Sequence, residues 1–399
     1  MEKGFIQRQR QRPSSSSSSS RSHPRKERGH FNPNCLNRSK SLDSAPTQGQ
    51  GQGQDQGLEE TSCITGTCPD MCPAKERAQR ERLRDLAVFE RLNGHPAKTS
   101  SHLAVKKFCR TISVKQVHAS DVRPLPVLEM TLNHLLSLLS STGHPFEVVH
   151  DFIFDRTRSI RQDLGLQNIV DHKAVHMYEE MVKFHVISHH KLQSHGNDPD
   201  ISSMQYLNHE QLTKALLSLY DMYDRTQKFE SRFINEAEYR SLYVLLHLGF
   251  RSQQIGESLS LWFCQLPLPI IKTKEICFAR NLLRYFQMGN YKRFFCTIAA
   301  EASHLQYCII APYVNEVRAQ AVSIINHGGY KLNPYPLGHL SNLLMLTESD
   351  MESFCRACGL EIHIDDAGNK FLPTKQSTFC HPKGGFQNYS FLGLEHFER

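Results

Sequence analysis

The sequence predicts an all-α stack of helical hairpins, of the TPR-like kind, followed by a C-terminal winged helix with a short β-hairpin. Three observations predict it. From Ala74 onward, apolar residues recur at helical spacing in segment after segment. The segments pair into units of roughly 30–45 residues, broken by Gly, Pro and Asn and without any repeated motif. After Pro312 the rhythm changes to three shorter helices and two strand-like runs around Asp365-Asp366-Ala367-Gly368-Asn369.

Residues 1–60 read as a disordered tail. They hold a Ser14–Ser20 run, Arg/Lys/Pro/Ser around Arg21–Arg28 and Gln/Gly alternation from Gln48 to Gly57. Such a composition buries too little apolar surface to offset the entropy of ordering. Its basic clusters fit a nuclear-import or nucleic-acid tail as well as a merely solvated one. Residues 61–311 read as the helical stack. Ala74–Leu92 is its first helix, stopped by Asn93-Gly94. Leu125–Leu139, Val149–Leu164, Ile169–Leu192, Gln211–Arg225, Glu236–Leu248, Lys274–Gly289 and Lys292–Ile310 follow. Breaks fall at Thr142-Gly143, Gly196–Pro199, Gly249, Pro267–Pro269 and Gly289-Asn290.

Residues 312–376 read as the winged helix. Val314–Gly328 is its first helix, and Pro336 opens the second, which runs to Leu346. Ser349-Asp350 caps the third, Met351–Gly359, and Gly359 sits where a helix C-terminus favours a left-handed residue. Leu360–Ile364 and Lys370–Thr374 are the hairpin strands, and residues 377–399 are a C-terminal extension.

The net charge of +7 suggests a polyanion-binding protein, but its distribution weakens that. The first 40 residues hold ten Lys/Arg against Glu2 and Glu27, which leaves residues 41–399 at −1. Any nucleic-acid site in the folded part is therefore a local patch. The twelve cysteines are unclustered and follow no secretory apolar segment, which reads as reduced thiols in an intracellular chain. The most apolar run, Leu259–Ile271, is thirteen residues long and interrupted by Pro267 and Pro269, so no membrane partner is expected. No nucleophile–base motif, phosphate-cradling Gly loop or Rossmann fingerprint occurs. Neither an enzyme nor a cofactor is expected.

The most informative stretch is Val149–Leu164. It sets Asp155, Arg156, Arg158, Arg161 and Asp163 in an apolar frame of Val149, Phe152, Ile153, Ile160 and Leu164. A solvated face would scatter its charges among Lys and Glu. Arg and Asp beside Phe and Ile point to partly buried, bidentate pairs between packed helices. The stretch reads as an internal brace, with Arg158 and Arg161 buried on carboxylate or carbonyl partners. Exposure of both on one open face would favour nucleic acid instead.

Several stretches together resemble the Sac-three/GANP (germinal-centre-associated nuclear protein) family. They are Gly66–Arg82 with its Cys-Pro-Asp-Met-Cys-Pro run, Ala104–Thr111, Asp121–Leu136, Phe152–Asn168, Gly289–Phe295 and Tyr335–Leu346. The resemblance implies a stack capped by a winged helix and related to the PCI modules of proteasome-lid and initiation-factor subunits. It also implies a protein partner, another PCI/winged-helix protein. Long members scaffold the transcription-and-export complex two (TREX-two) and contact RNA. This chain shows no Phe-Gly repeats, no long C-terminal helix for centrin-type subunits and no acetyltransferase-like region. It is most similar to short animal members, associated with centrosome duplication and the mitotic spindle. The resemblance thus implies a non-enzymatic scaffold in the cytoplasm, at the centrosome and spindle, with nuclear mRNA export as the alternative.

Candidate sites are few. Cys63, Cys68 and Cys72 are weak metal candidates, since a tetrahedral zinc would need a fourth ligand such as His95. The favoured reading is an extended segment pinned over the stack, its cysteines acting as small hydrophobes. Cys355 and Cys358, with Cys380-His381 beyond, read as core by their helical spacing. His172, His176 and Glu179, continued by His185, His189 and His190, lack a motif that completes a metal site. Nucleic-acid candidates are Lys106, Lys107 and Arg110 beside Phe108, and Lys292 and Arg293 beside Tyr291, Phe294 and Phe295. Cations beside aromatics can hold phosphate and stack bases, or can simply snorkel outward from a core. Arg318, Lys331, Arg356, Lys370 and Lys375 give the winged helix a sparse basic set.

Overall fold

The computed structural model describes residues 64–111, 117–141, 143–193, 199–226, 233–248, 258–328, 334–382, 389 and 391–392. The expected tail, Cys63 and Lys331 lie outside the described residues. The chain divides into Met1–Glu60 and Thr61–Arg399, and only the second is described below.

Among the described residues, helices α1 (Ala74–Leu83), α2 (Leu125–Ser141), α3 (Phe146–Leu166), α4 (His172–Gln193), α5 (Pro199–Thr226) and α6 (Glu236–Leu245) come first. Then come α7 (Leu259–Gln265), α8 (Leu268–Ile271), α9 (Lys274–Gln287), α10 (Tyr291–Glu301) and α11 (His304–Gly328). Strand β1 (Tyr335–Pro336), helices α12 (Leu337–Leu343) and α13 (Glu348–Ala357), and strands β2 (His363–Ile364) and β3 (Lys370–Leu372) complete the order. The described residues are mostly helical, with one small antiparallel sheet among them after α11. The apolar stripes bury against their neighbours: α2 on α3, α4 along α5, α6 on α9, and α9 on α10. α11 packs back against both α4 and α6, so one core runs from Met71 to Phe391.

Four expectations are corrected. The first helix ends at Leu83, because Arg80 is its only buried residue and no apolar stripe holds it further. Arg84 turns left-handed (φ 55°), and two 3₁₀ turns at Val88–Glu90 and Leu92–Gly94 carry the chain so that Leu86 and Glu90 face inward. α5 begins at Pro199, not Gln211, and so brings Asn208 into the core. The expected helix 292–310 breaks at Ala302-Ser303, and α11 then runs unbroken across Pro312. Ser303 and Gln306 explain the break as a capping box: Gln306 N donates to Ser303 Oγ (3.2 Å) and Ser303 N to Gln306 Oε1 (3.0 Å). Pro312 removes one helical donor, but Cys308, Ile309, Ile310, Val314 and Val317 are buried on either side, and packing overrides the loss. The expected boundary at 311/312 therefore falls inside a helix. Fourth, α13 is capped by Thr347, whose Oγ1 accepts from Asp350 N at 3.0 Å, not by Ser349-Asp350.

The sheet has the order β1-β3-β2, with Tyr335 opposite Leu372 and His363 opposite Phe371. β2 and β3 are the expected hairpin. Asp365 Oδ1 receives Ala367 N (3.0 Å) and Asn369 N (2.7 Å), and Gly368 takes φ 81°. The described residues of the extension after residue 376 lie on the body: Cys380 N donates to Cys358 O (2.9 Å) and Leu392 N to Met345 O (3.1 Å).

Candidate functional site

Helix α3 is the keel of the N-terminal region. On one face, Arg156, Ser159 and Asp163 recur at helical spacing and are buried, and three irregular segments lie across them. Those segments are tied to one another through their backbones: Thr67 N to Ala119 O (2.9 Å), Cys68 N to Val122 O (3.0 Å) and Lys106 N to Met71 O (3.0 Å). The contact is close enough to require a glycine, since a Cβ on Gly66 would stand 2.6 Å from Val122 O.

Two buried carboxylates fasten these segments. Asp163, fully buried, receives Lys106 Nζ (2.7 Å), Arg123 Nε (2.7 Å) and Arg123 N (3.3 Å). Arg123 spends its remaining donors on Ser159 Oγ (2.9 Å) and Met71 O (3.3 Å), and Lys106 Nζ also reaches Asp121 O (2.5 Å). Glu90, also fully buried, takes Arg80, Arg156 Nη2 (3.0 Å), Ala87 N (3.0 Å) and Val105 N (3.0 Å). Burial alone would raise the Glu90 carboxyl, but Arg156 and Arg80 outweigh it and hold it below the usual carboxylate range. Asp155 pairs with its neighbour Arg156 and receives Phe108 N at 3.3 Å.

Arg158 and Arg161 differ from the rest. Among the described residues neither forms an ion pair, although Asp155 and Glu210 act on Arg158 at longer range. Arg161 Nη2 donates to Gln211 Oε1 on α5 at 2.8 Å, and burial pushes the group down to about 10. Half-buried Arg158 lies 3.9 Å over the Phe108 ring and 5.6 Å from that of Phe154. One holds two helices together through an amide; the other is sandwiched by rings.

The structure redistributes the basic candidates. Lys106 is corrected: buried on Asp163, it has no surface to offer phosphate. Half-buried Lys107 pairs with Asp85 (3.0 Å), while Arg110 is exposed. Lys292 and Arg293 are exposed in the first turn of α10, whose cap is Asn290 Oδ1 accepting Arg293 N (3.1 Å), and Phe294 and Phe295 are core. Arg318 is also corrected, for it is fully buried and donates to Leu344 O (3.1 Å), Met345 O (3.0 Å) and Asn315 Oδ1 (2.9 Å).

Cys68 and Cys72 are buried, with thiols directed at the backbone oxygens of Asp70 (3.3 Å) and Pro73 (3.7 Å). Burial pushes the Cys72 thiol up to about 12, an environment hostile to a thiolate ligand. Cys355 and Cys358 are core as well. His176 is exposed and Glu179 is buried, where its carboxylate receives Tyr223 Oη (2.6 Å) and Asn235 Nδ2 (3.1 Å). Asn208 joins His150 (3.3 Å) to His185 (2.8 Å), and burial pushes His185 and His189 down to about 3. No group of three His, Cys, Asp or Glu among the described residues is arranged to hold a metal ion. An open cleft of about 490 Å³ between α6, α9 and α10 is lined by Glu238, Glu275 and Glu301 among others; its Ser303 donates to Glu238 at 2.5 Å as part of the α11 cap. What this arrangement can do is hold shape.

Residues 71–364 match the SAC3/GANP family. SAC3 family protein B of Arabidopsis thaliana is 35% identical over 317 residues, which is 77% of this chain and 18% of the relative. SAC3 family protein 1 of Schizosaccharomyces pombe is 32% identical over 348 residues, 81% of this chain and 32% of the relative. Protein xmas of Drosophila melanogaster is 28% identical over 323 residues, 77% and 15% respectively. The chain thus spans about a third or less of the length of these relatives.

Proposed function

This chain belongs to the SAC3/GANP family, and on that premise we propose that it is a non-enzymatic protein–protein scaffold of the centrosome and spindle, acting in centrosome duplication, spindle assembly and mitotic progression. The observation that carries the scaffold reading is the C-terminal order α11-β1-α12-α13-β2-β3 with β3 between β1 and β2. A helix, a strand, two helices and a hairpin whose last strand pairs with the first is the plan of a winged helix. Joined to a helical stack, it supports a PCI-like module whose partner is another PCI/winged-helix protein. The sheet edge offers apolar surface for such pairing, with Ile364 on β2 64% exposed. The centrosomal setting rests on the likeness to short animal members. No helix among the described residues is long and apolar enough to cross a membrane.

The test is affinity purification of the tagged chain from mitotic and interphase cells, followed by size-exclusion chromatography. A stoichiometric PCI/winged-helix partner that is lost on Ile364→Asp is expected. A monodisperse monomer that retains no such partner refutes the scaffold reading.

A second reading, an RNA-binding adaptor of a TREX-two-like export complex acting in the nucleus, is favoured by one observation. Lys292 and Arg293 stand exposed in the first turn of α10, where the helix dipole adds to their attraction for phosphate. RNA affinity that falls steeply with salt and weakens on Lys292→Glu/Arg293→Glu supports it. Binding indifferent to both sinks it.

A further inference from the structure

Tyr389 and Phe391 are only 9% and 4% exposed. Phe391 packs 6.1 Å from the Phe295 ring of α10 and 5.6 Å, edge-on, from Tyr307 of α11. The Arg318 guanidinium, fixed by the carbonyls of Leu344 and Met345, lies 5.8 Å from the same ring. Tyr389 meets Phe354 of α13 edge-on at 5.4 Å. Leu392 N donates to Met345 O at 3.1 Å, in the turn after α12.

Two rings at i and i+2 entering pockets, with a backbone bond beside them, is how an extended peptide is read by a groove. The walls belong to α10, α11, α13 and the α12–α13 turn, so the segment closes the seam between the helical part and the part that carries the sheet. Those walls are anchored independently: Phe295 rests edge-on against Phe294 at 5.5 Å, and Arg318 is held by three protein oxygens. Two rings and one backbone bond are what the described residues contribute to this contact, which makes it small enough to exchange.

We propose that this seam is a peptide-docking slot for an aromatic-x-aromatic segment, and that its resident ligand is the chain's own Tyr389 and Phe391 with Leu392, acting as a releasable clip. The clip stands on these contacts alone and does not depend on the scaffold reading.

Full-length Tyr389→Ala/Phe391→Ala, with its clip disarmed, is to be titrated against a fluorescein-labelled synthetic peptide of residues 385–396. The variant should bind the peptide by anisotropy, the wild-type chain should bind it at least tenfold more weakly, and a peptide carrying the same two alanines should lose at least tenfold. Equal binding by wild type and variant, or no binding by a variant whose circular dichroism is native, overturns the proposal. Should the double variant fail to fold, Phe391→Leu carries the test by hydrogen exchange. Faster exchange confined to residues 295–318 and 344–358 is expected, and exchange unchanged there overturns it.

Discussion

Replacing Asp163 by Asn isolates the charge of the α3 brace while keeping its shape. The carboxylate is fully buried and receives Lys106 Nζ and Arg123 Nε, each at 2.7 Å. An amide can accept from one of these cations but turns its own donor toward the other, leaving two buried positive charges facing each other. Each carboxylate–cation attraction is about 4 kcal/mol at 4 Å with an effective dielectric of ~20, and much of it is offset by desolvation. Breaking one partner out of a buried pair costs about 3–5 kcal/mol, because the surviving charge keeps its burial penalty. With an unfolding entropy of roughly 2 cal/mol/K per residue over some 330 residues, that loss lowers Tm by about 4–7 °C. The control is Glu129→Gln, which removes the 3.2 Å pair to Lys173 between two well-exposed side chains and costs at most about 1 kcal/mol. Urea denaturation followed by near-ultraviolet circular dichroism, with calorimetry, measures both variants. If Asp163→Asn proves no more destabilising than Glu129→Gln, the brace does not hold the segments.

The buried imidazoles of His185 and His189, pushed down to about 3, stay neutral in the fold, whereas the unfolded chain protonates them below about pH 6.5. Their contribution to stability is complete above pH 6.5 and is lost as pH falls toward 3, by about 1.4 kcal/mol per pH unit for each. The urea midpoint should therefore drop more between pH 7 and pH 5 in the wild type than in His185→Gln, and equal drops would refute the assignment. Cys72, raised to about 12 by burial, should resist iodoacetamide at pH 8 in the native chain while exposed Cys109 and Cys264 react; mass-spectrometric labelling of Cys72 at a comparable rate would contradict its environment. Gly359→Ala should destabilise by more than about 1 kcal/mol, since its φ is +73° and a Cβ would meet Thr378 O at 2.5 Å. A neutral thermal melt would show that the turn at Thr378 can move aside.

The helices were legible where an apolar stripe repeats, as in α3, α4 and α9, because burial of that stripe is what forms them. α1 was overextended because helical propensity in Arg and Glu carries no information about where packing support ends. The brace was legible in one half only. Arg156 and Asp163 announce themselves by standing in an apolar frame, but their partners Glu90, Lys106 and Arg123 sit in irregular segments without periodicity, and pairing there is a property of tertiary contact. A signal for Lys106 was nonetheless present: Ala104 and Val105 precede it, and an apolar dipeptide running into a lysine is as consistent with burial as with a basic patch. Arg158 and Arg161 show the reverse error. A buried arginine needs a partner, but an amide oxygen or an aromatic face serves, and sequence alone does not choose among them. The capping box at Ser303–Gln306 was readable and would have placed the start of α11 correctly.

α11 has an implication for how this chain can be taken apart. Its first half is packed on α4 and α6, and its second half holds Arg318 and Asn326, which anchor the α12–α13 turn and the strand-bearing segment. A rod of 25 residues is about 37 Å long at 1.5 Å per residue, and it runs unbroken through Pro312. A fragment cut at the obvious proline would begin in mid-helix, with Val314, Val317 and Val322 stripped of their cover. The sheet-bearing part and the helical layers therefore share one continuous helix rather than a linker, and a boundary between them has to be drawn on either side of it.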